Sequence, residues 1–246
     1  MQYLNMLPYQ LRQAIKDNVP VLLPLGVIEY HAEHLPLGTD SFVCQEVIRR
    51  VEEKHPEIVV LPPFYYGCAS YAVAAPEGNG SVQVESDRLI PVAKDIFKSL
   101  LRVGFRNIYA FIAHQTEEFY QGMPTDLAFR TAARQTIFEW LERESGEGWW
   151  GNEKFSNYYS GNNNPFAWIQ VHPCVVDQKY KDKFLFDHAG KHETSCIMAT
   201  HPELVEMDRL DHDIWYARTS ENASAEYGNT VLAAQAEYVE NIIFPQ

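Results

Sequence analysis

A short segment near the amino terminus collects side chains that bind metal ions. Glu29, His31 and Asp40 follow closely on the apolar run 19–28. Glu29 and His31 are two positions apart, so in an extended chain both side chains point to the same side. Carboxylates supply hard oxygen ligands, and imidazole supplies a nitrogen that Zn, Mn or Fe accepts. The pattern predicts a metal site; the alternative is an ordinary surface pair of a carboxylate and a histidine.

A second candidate segment follows a later apolar run. His114 comes directly after residues 107–113, and Glu117 and Glu118 follow it closely. A histidine at the end of a strand, rather than inside it, favours a functional role over a structural one. The two glutamates are either ligands or solvated charges, and Glu117 is also a candidate catalytic base.

The third candidate segment precedes an apolar helical stretch. Residues 187–195 read Asp-His-Ala-Gly-Lys-His-Glu-Thr-Ser. Backbone N–H groups at the start of a helix favour negative charge, so this helix would face the site. His188 is a candidate general acid/base, because the pKa of free histidine lies near neutrality. Thr194 and Ser195 are equally suited to be helix N-caps, which is the structural alternative for this segment.

The elements that must position these residues follow from apolar periodicity and from Gly and Pro positions. Ser86 is the expected N-cap of a helix that Gly104 ends, and Pro24 inside the first strand predicts a bend or an edge there. Strands are predicted over 19–28, 58–61, 107–113 and 167–171, and helices over 7–17, 39–54, 86–104, 125–143, 192–200 and 223–243. Alternating strands and helices predict a single α/β domain with a mainly parallel sheet covered on both faces. Ligands bind beyond the carboxyl ends of such strands, where the first two segments would meet.

Two long loops are rich in aromatic residues. Residues 64–81 include Tyr71, and residues 146–165 with the following Trp168 form the least regular part of the chain. Long loops in a compact domain are usually functional. Tyr71 and Trp168 are therefore candidate walls of a pocket for a small polar ring; packing in the core or at a subunit interface is the alternative.

Composition limits the class of partner. The 246 residues carry a formal net charge of −13, with 46% hydrophobic residues. An acidic chain has no basic surplus to neutralise phosphates, so neither a nucleic-acid partner nor an anionic membrane is expected. The four cysteines form no CxxC pair, and no secretory signal or membrane-spanning run is recognised. We expect a cytoplasmic globular protein that acts on a small molecule.

The first and third segments together carry a resemblance to a known family. Glu-x-His-x-x-His-Leu-Pro-Leu-x-Thr-Asp at 29–40 and Asp-His-Ala-Gly-x-x-Glu-Thr-Ser at 187–195 resemble the creatininase (creatinine amidohydrolase) family. The resemblance implies a three-layer α/β/α subunit, often assembled as a hexamer, with a two-metal centre of Zn, Mn or Fe. It implies that His188 matches the catalytic histidine and that Asp40 bridges both ions. The implied metal ligands are Glu29, His31, Asp40, His114 and Glu193.

The segment after the third strand departs from the family pattern. Family members commonly show Asn-Gly-His-Gly-Gly-Asn or His-Tyr-Glu-Asn there, whereas this chain reads Ile-Ala-His-Gln-Thr-Glu at 112–117. Thr116 stands where creatininase itself has a metal-binding glutamate, so that ligand is assigned to Glu193. Another loop, expected to resemble Pro-Gly-Thr, reads Pro-Glu-Gly-Asn-Gly-Ser at 76–81.

Three functional hypotheses follow. The first is a two-metal hydrolase that cleaves a non-peptide C–N bond of a small cyclic amide or a formamide-type substrate. The second, which the resemblance also covers, is a hydrolase that opens an inositol-derived cyclic diketone by C–C cleavage. The third is a non-enzymatic, metal-stabilised binding module.

Overall fold

The computed structural model describes residues 1–114, 121–157, 164–174 and 178–245, apart from the side chains at positions 178, 179 and 181. Four strands and seven α-helices alternate along this part of the chain. The strands are β1 (Val21–Leu25), β2 (Val59–Val60), β3 (Ile108–Ile112) and β4 (Ile169–Pro173). The helices are α1 (Pro8–Lys16), α2 (Thr39–Lys54), α3 (Ser86–Val103), α4 (Pro124–Ser145), α5 (Gln178–Lys183), α6 (Lys191–Thr200) and α7 (Ala225–Ile243).

The strands form one parallel sheet in the order β2-β1-β3-β4. The register pairs Leu25 at the end of β1 with Ile112 at the end of β3. The segments that follow these two strands therefore leave the same edge of the sheet side by side. This edge is the one where the sequence predicts the site.

Two apolar clusters cover the two faces of the sheet. Alternate residues such as Leu22 and Phe111 pack with α2, α5, α6 and α7, whereas their neighbours Leu23 and Ile112 pack with α1, α3 and α4. Strands buried on both faces explain why these runs are continuously apolar rather than alternating. The predicted three-layer α/β/α architecture is confirmed.

Pro24 lies on an inner strand of the sheet, and not on the edge strand that the sequence had suggested. It pairs in register with Phe111, and β1 is flanked on both sides. Pro24 has no N–H to donate to a neighbouring strand. This is tolerated because its peptide group faces β2, and β2 ends after two residues, before it reaches Pro24. Beyond that end, the carbonyl of Pro24 accepts a hydrogen bond from the N–H of Phe64 at 2.9 Å.

The predicted N-cap of α3 and the alternative N-caps of α6 are wrong, although both helices begin within one residue of the predicted position. Glu85 is the N-cap of α3 and Ser86 is its first residue. Gly190 is the N-cap of α6, and Thr194 and Ser195 are buried within the helix. The Asp187 carboxylate, rather than a hydroxyl, binds the N-terminus of α6: its Oδ2 accepts the N–H of His192 at 3.0 Å. Among the described residues, no helix is long and apolar enough to cross a bilayer.

Candidate metal centre

The loop between β1 and α2 is fixed by hydrogen bonds before it delivers its ligands. The N–H of Glu29 donates to the carbonyl of Leu37 at 3.0 Å, and the N–H of Tyr30 donates to Ser81 Oγ at 2.9 Å. His34 is an anchor of this loop, since its Nε2 lies 3.0 Å from Thr194 Oγ1 and 3.2 Å from Ser220 Oγ. The loop is thereby tied to α6 and held against the sheet.

Asp40 is the centre of the cluster. It lies in the first turn of α2 and is 3% exposed. Its Oδ2 atom lies 3.2 Å from Nδ1 of His114 and 3.7 Å from Nε2 of His31. One carboxylate oxygen therefore faces the imidazoles of two different segments.

Among the described residues, three groups of side chains could hold a cation, and two of them share Asp40. The first of these two consists of Glu29, Asp40 and His114, and the second of His31, Asp40 and Glu193. The third group, without Asp40, is Glu29, His31 and His188. Glu29 Oε2 lies 3.3 Å from His114 Nδ1, and Glu193 Oε2 lies 3.5 Å from His31 Nε2. The structure thus brings together all five side chains that the sequence resemblance implied as metal ligands.

The charge balance of the cluster fits a cation. Burial raises the pKa of Glu29, and burial with the nearby carboxylates of Asp40 and Asp187 raises the pKa of Glu193 well above its usual value. Burial also opposes ionisation of Asp40, but His31 and His114 outweigh it and lower the pKa of Asp40 to about 2. Three carboxyl groups share this small buried volume, and a bound cation would stabilise all of them as carboxylates.

The ring of His31 is oriented as that of a metal-binding histidine. His31 Nδ1 lies 3.0 Å from the carbonyl of Glu29, which can only accept, so Nδ1 carries the hydrogen. The bare Nε2 of His31 is buried and has no hydrogen-bond partner within the described ranges of the chain. It faces Asp40 and Glu193. A neutral imidazole held through its other nitrogen is typical of metal-binding histidines.

Glu193 and His188 are positioned by the turn that precedes α6. The N–H of Ala189 donates to Glu193 Oε2 at 2.6 Å. Gly190 permits this turn, because a Cβ there would lie 2.3 Å from Asp187 Oδ2. Ala189 itself has a left-handed φ of 52°, as do Ala32 and Ser70, with φ of 57° and 62°, on either side of the cluster. Strained backbone of this kind concentrates at functional sites.

His188 lies beside the ligand cluster and faces the solvent-accessible side. Its Nε2 lies 2.9 Å from the carbonyl of Tyr30, so Nε2 carries the hydrogen and Nδ1 is bare. Nδ1 lies 4.0 Å from Glu29 Oε2, and the centroid of the His188 ring lies 4.4 Å from that of His31 and 5.3 Å from that of Tyr216. Burial is the main cause that lowers the pKa of His188 to about 4, so the ring is neutral near pH 7.

A cavity of about 290 Å³ opens onto the cluster. Four of the five proposed ligands, Glu29, Asp40, His114 and Glu193, line it together with His188. Its volume is at the small end of ligand pockets, which are roughly 300–1,000 Å³. The remaining lining residues are Val43, Ser70, Ala72, Val73, Ala113, Phe186, Asp187, His192 and Gln235.

The structure does not bring the two predicted aromatic walls to this cavity. Trp168 precedes β4, and its ring packs on the guanidinium of Arg106 at the amino end of the sheet, opposite to the ligand cluster. Tyr71 is 48% exposed and is not among the lining residues, although Ser70 and Ala72 on either side of it are. Glu117 and Glu118 lie outside the described residues.

The sequence analysis gave no role to three residues that line the cavity. They are Phe186, His192 and Gln235, and Gln235 belongs to α7, far along the chain from the other cavity residues. A glutamine on an otherwise apolar helix face is the only sequence signal that marks this position.

Comparison with known proteins places the chain in a family. The sequence model described as "Creatininase: Creatinine amidohydrolase" matches residues 5–240. The chain belongs to the creatininase family. A curated creatinine amidohydrolase from Pseudomonas putida is 28% identical over 211 residues, which cover 83% of this chain and 73% of that protein. This family membership identifies a metal-dependent amidohydrolase.

Solved structures of creatininases share the fold. One described as "Creatininase Mn" superposes with a TM-score of 0.75 at 19% identity, covering 100% of this chain and 99% of that one. A mutant creatininase complexed with creatine gives a TM-score of 0.74 at 20% identity, with the same coverage of both chains. The creatininase-family fold therefore extends over the whole chain.

Proposed function

We propose that this creatininase-family chain is a two-metal hydrolase that cleaves the C–N bond of a small polar cyclic amide. The observation that carries the proposal is that Asp40 belongs to two of the three groups of potential ligands. A carboxylate shared in this way is suited to bridge two cations. The alternative of a non-enzymatic binding module explains neither the family membership nor the cavity beside His188.

Each ion would have its own ligands in addition to Asp40. Glu29 and His114 would hold one, and His31 and Glu193 would hold the other. Mixed carboxylate and imidazole ligands suit Zn, Mn or Fe. The manganese in the name of one structural neighbour supports a divalent ion of this kind.

Two bound ions would supply an activated water and polarise the carbonyl of the substrate. This chain's own contribution to proton transfer is His188. Its hydrogen on Nε2 is engaged by the Tyr30 carbonyl, so Nδ1 is the atom that accepts a proton and then delivers it to the leaving nitrogen. The neutral state of the ring near pH 7 suits the accepting step.

The cavity supports a small substrate. A volume of about 290 Å³ accommodates one ring with few substituents, and polar side chains line much of it. The creatine held by one structural neighbour is a molecule of this size class. A small cyclic amide is the substrate class that best matches both the cavity and the family.

We also propose that the chain forms a homo-oligomer, a hexamer by resemblance to the family. Several large apolar side chains are exposed on the single chain. Trp215 is 75% exposed, and Leu4 is 78% exposed. Burial against other copies would remove such groups from water. Light scattering after size-exclusion chromatography measures the subunit number, and a monomer would contradict the proposal.

A metal-loaded substrate screen tests the reaction. Protein loaded with Mn or Zn is incubated with lactams, formamides and cyclic diketones, and products are identified by mass spectrometry. The proposal expects ring-opened amino acids from lactams. Cleavage of diketones alone would assign the site to C–C hydrolysis instead, and turnover without metal would contradict the mechanism.

A further inference from the structure

The His188 ring is held by one hydrogen bond within the described part of the chain. Its Nε2 donates to the carbonyl of Tyr30 at 2.9 Å. Nδ1, the atom that the proposed proton transfer uses, lies 4.0 Å from Glu29 Oε2, which is beyond hydrogen-bond distance, and the side chain is 26% exposed. A partly exposed imidazole with a single hydrogen bond can leave its position by rotation about its side-chain bonds. Neighbouring side chains must therefore restrict it.

Two aromatic rings contact the His188 ring. The ring of His31 lies close to parallel with it, with centroids 4.4 Å apart and planes at 31°. The ring of Tyr216 meets it at 66°, with centroids 5.3 Å apart. Tilted and edge-to-face arrangements at this distance are favourable for aromatic pairs. Of these two rings, Tyr216 is the one that does not belong to a proposed metal ligand.

The segment that carries Tyr216 is attached to the turn that precedes α6, where the proposed acid/base lies. Ser220 Oγ donates to the carbonyl of Ala189 at 2.8 Å, and the N–H of Lys191 donates to Thr219 Oγ1 at 2.9 Å. Ser220 and Ala189 are both fully buried. The two segments are therefore fixed to each other at two points, so the contact between the two rings is built into the fold.

Tyr216 itself does not line the cavity. Burial is the main cause that raises the pKa of its hydroxyl, and the carboxylates of Glu29 and Glu33 raise it further. The hydroxyl therefore stays protonated near neutral pH, and an uncharged ring packs on His188. Such a residue can influence the reaction through the histidine but not by contact with the substrate.

We propose that Tyr216 is a positioning residue, whose ring holds the His188 imidazole in the orientation that directs Nδ1 at the ligand cluster. Tyr216 forms and breaks no bond in the reaction. This inference rests on the proposed function, since it takes His188 to be the acid/base. The orientation of the ring, however, is a property of the folded protein that is measurable without turnover.

Two replacements of Tyr216 separate the ring from the hydroxyl. Tyr216→Phe keeps the ring, and Tyr216→Ala removes it. Because a misplacement of roughly 1 Å can cost about 100-fold in rate, kcat of the Ala variant should fall about 10- to 100-fold. Its KM and metal content should stay close to those of the wild type, and kcat of the Phe variant should stay within about twofold. Tyr216→Leu replaces the Ala variant if that protein does not fold.

Tyr227→Ala is the matched control for lost packing. Tyr227 and Tyr216 are both partly buried and pack against the same apolar cluster. The ring contacts of Tyr227 are with Phe184 and with the ammonium group of Lys191, and not with His188. This variant should therefore keep kcat within about twofold of the wild type.

A double replacement shows whether Tyr216 acts through His188. In the His188→Gln protein there is no imidazole to orient, so the added Tyr216→Ala replacement should lower kcat no further. Effects of residues that act as a unit are not additive. An undiminished loss in the His188→Gln background would mean that Tyr216 acts independently of the histidine.

The orientation of the ring is measured directly by solid-state ¹⁵N NMR of zinc-loaded protein with labelled histidine. The His188 signals are those that disappear in His188→Gln. The wild type, Tyr216→Phe and Tyr227→Ala should show His188 with its hydrogen on Nε2 alone. Tyr216→Ala should show a mixture of tautomers, because a ring that leaves the Tyr30 carbonyl can carry the hydrogen on either nitrogen.

Several results would overturn the role of Tyr216. They are an unchanged kcat in Tyr216→Ala, an equal loss in Tyr216→Phe, which would assign the effect to the hydroxyl, and a rise in KM alone, which would indicate contact with the substrate. A single Nε2–H tautomer in Tyr216→Ala would also contradict it. Failure of the proposed function is read separately, as a lack of bound metal or of product in the substrate screen, and the NMR spectra still decide whether Tyr216 holds the ring.

Discussion

Asp40 Oδ2 and His114 Nδ1 lie 3.2 Å apart, although one residue opens α2 and the other follows β3. The parallel register of β1 and β3 brings these two chain segments together. Burial lowers the pKa of His114, but Asp40 and Glu29 outweigh it and raise this pKa to about 10. The contact therefore places a strong preference for positive charge at the buried centre of the cluster, which a metal cation would satisfy.

Replacement of Asp40 should abolish binding of both ions. Asp40→Asn keeps the shape of the side chain but removes the charge that both ligand groups share. We expect elemental analysis of the purified variant to find almost no metal. Asp95→Asn, an exposed position on α3, is the control and should retain the wild-type content. Retention of one full equivalent by Asp40→Asn would show that the two groups do not depend on a common ligand.

Replacement of His188 should separate metal binding from turnover. His188→Gln removes the Nδ1 acceptor and leaves the five proposed ligands in place. Loss of a general acid/base typically lowers turnover by about 10²–10⁴-fold. We expect that decrease in kcat with an unchanged metal content. If metal is lost along with activity, His188 is a ligand and its acid/base role is wrong.

The stability of the protein should fall as the pH falls from about 6.5 towards 4, in part because of His34. Burial lowers the pKa of His34 to about 4, so in this window the unfolded state binds the proton that the folded state does not. A folded pKa below the unfolded value means stability that is present at neutral pH and lost in acid. For a shift of this size, the loss at pH 5 is about 2 kcal/mol.

The contribution of His34 is measured by comparing how much stability the wild type and a His34 variant lose on acidification. The free energy of unfolding is determined by urea at pH 7.5 and pH 5 for the wild type and for His34→Gln. The variant should be less stable at pH 7.5, since its contacts with Thr194 and Ser220 are altered, but it should lose about 2 kcal/mol less on acidification. Equal losses in the two proteins would remove His34 as a cause.

Gly228 should be required for the contact between α6 and α7. A Cβ at this position would lie 1.9 Å from the carbonyl oxygen of Ser195. Helix propensity alone would make Gly228→Ala stabilising by roughly 1 kcal/mol, whereas the clash should reverse the sign and destabilise by about 1–3 kcal/mol. Gly151→Ala is the control, since nothing described lies within 4 Å of its added Cβ. The stability of both variants is measured by thermal unfolding. A stabilised Gly228→Ala would contradict the close contact between α6 and α7.

Trp168 should be dispensable for substrate binding, because it packs on Arg106 at the amino end of the sheet. Trp168→Phe is expected to leave KM within about twofold of the wild type, while lowering stability by an amount typical of a reduced aromatic contact, roughly 1 kcal/mol. KM is measured by steady-state kinetics with the substrate found in the screen. A large rise in KM with unchanged stability would return Trp168 to the binding site.

The parts of the site that could be predicted are those where local spacing and strand position are informative. Glu29 and His31 lie on one short segment, and the exit of an apolar strand marks His114. The contacts of Asp40 with His114 and of Glu193 with His31 depend on the register of β1 and β3 and on the docking of α6. Neither contact is encoded in a local pattern, so those pairings could be predicted only through the family resemblance.

The failures of prediction have equally specific causes. Thr194 and Ser195 resemble N-caps, but Asp187 reaches the start of α6 first because Gly190 allows its carboxylate to approach. Gln235 interrupts an apolar helix face, but only the packing of α7 shows that this position lines the cavity. Trp168 is predicted to line the pocket only because it follows a loop rich in aromatic residues. Such a composition does not indicate at which end of the sheet the Trp168 ring packs.

An anomalous-scattering map of crystals grown with manganese would show whether Asp40 is shared by two ions. We expect two peaks about 3.5–4 Å apart, the usual spacing in two-metal sites, with Asp40 bound to both. Glu29 and His114 should contact one ion, and His31 and Glu193 the other. A single peak, or two peaks of which only one contacts Asp40, would contradict a shared carboxylate at the heart of this site.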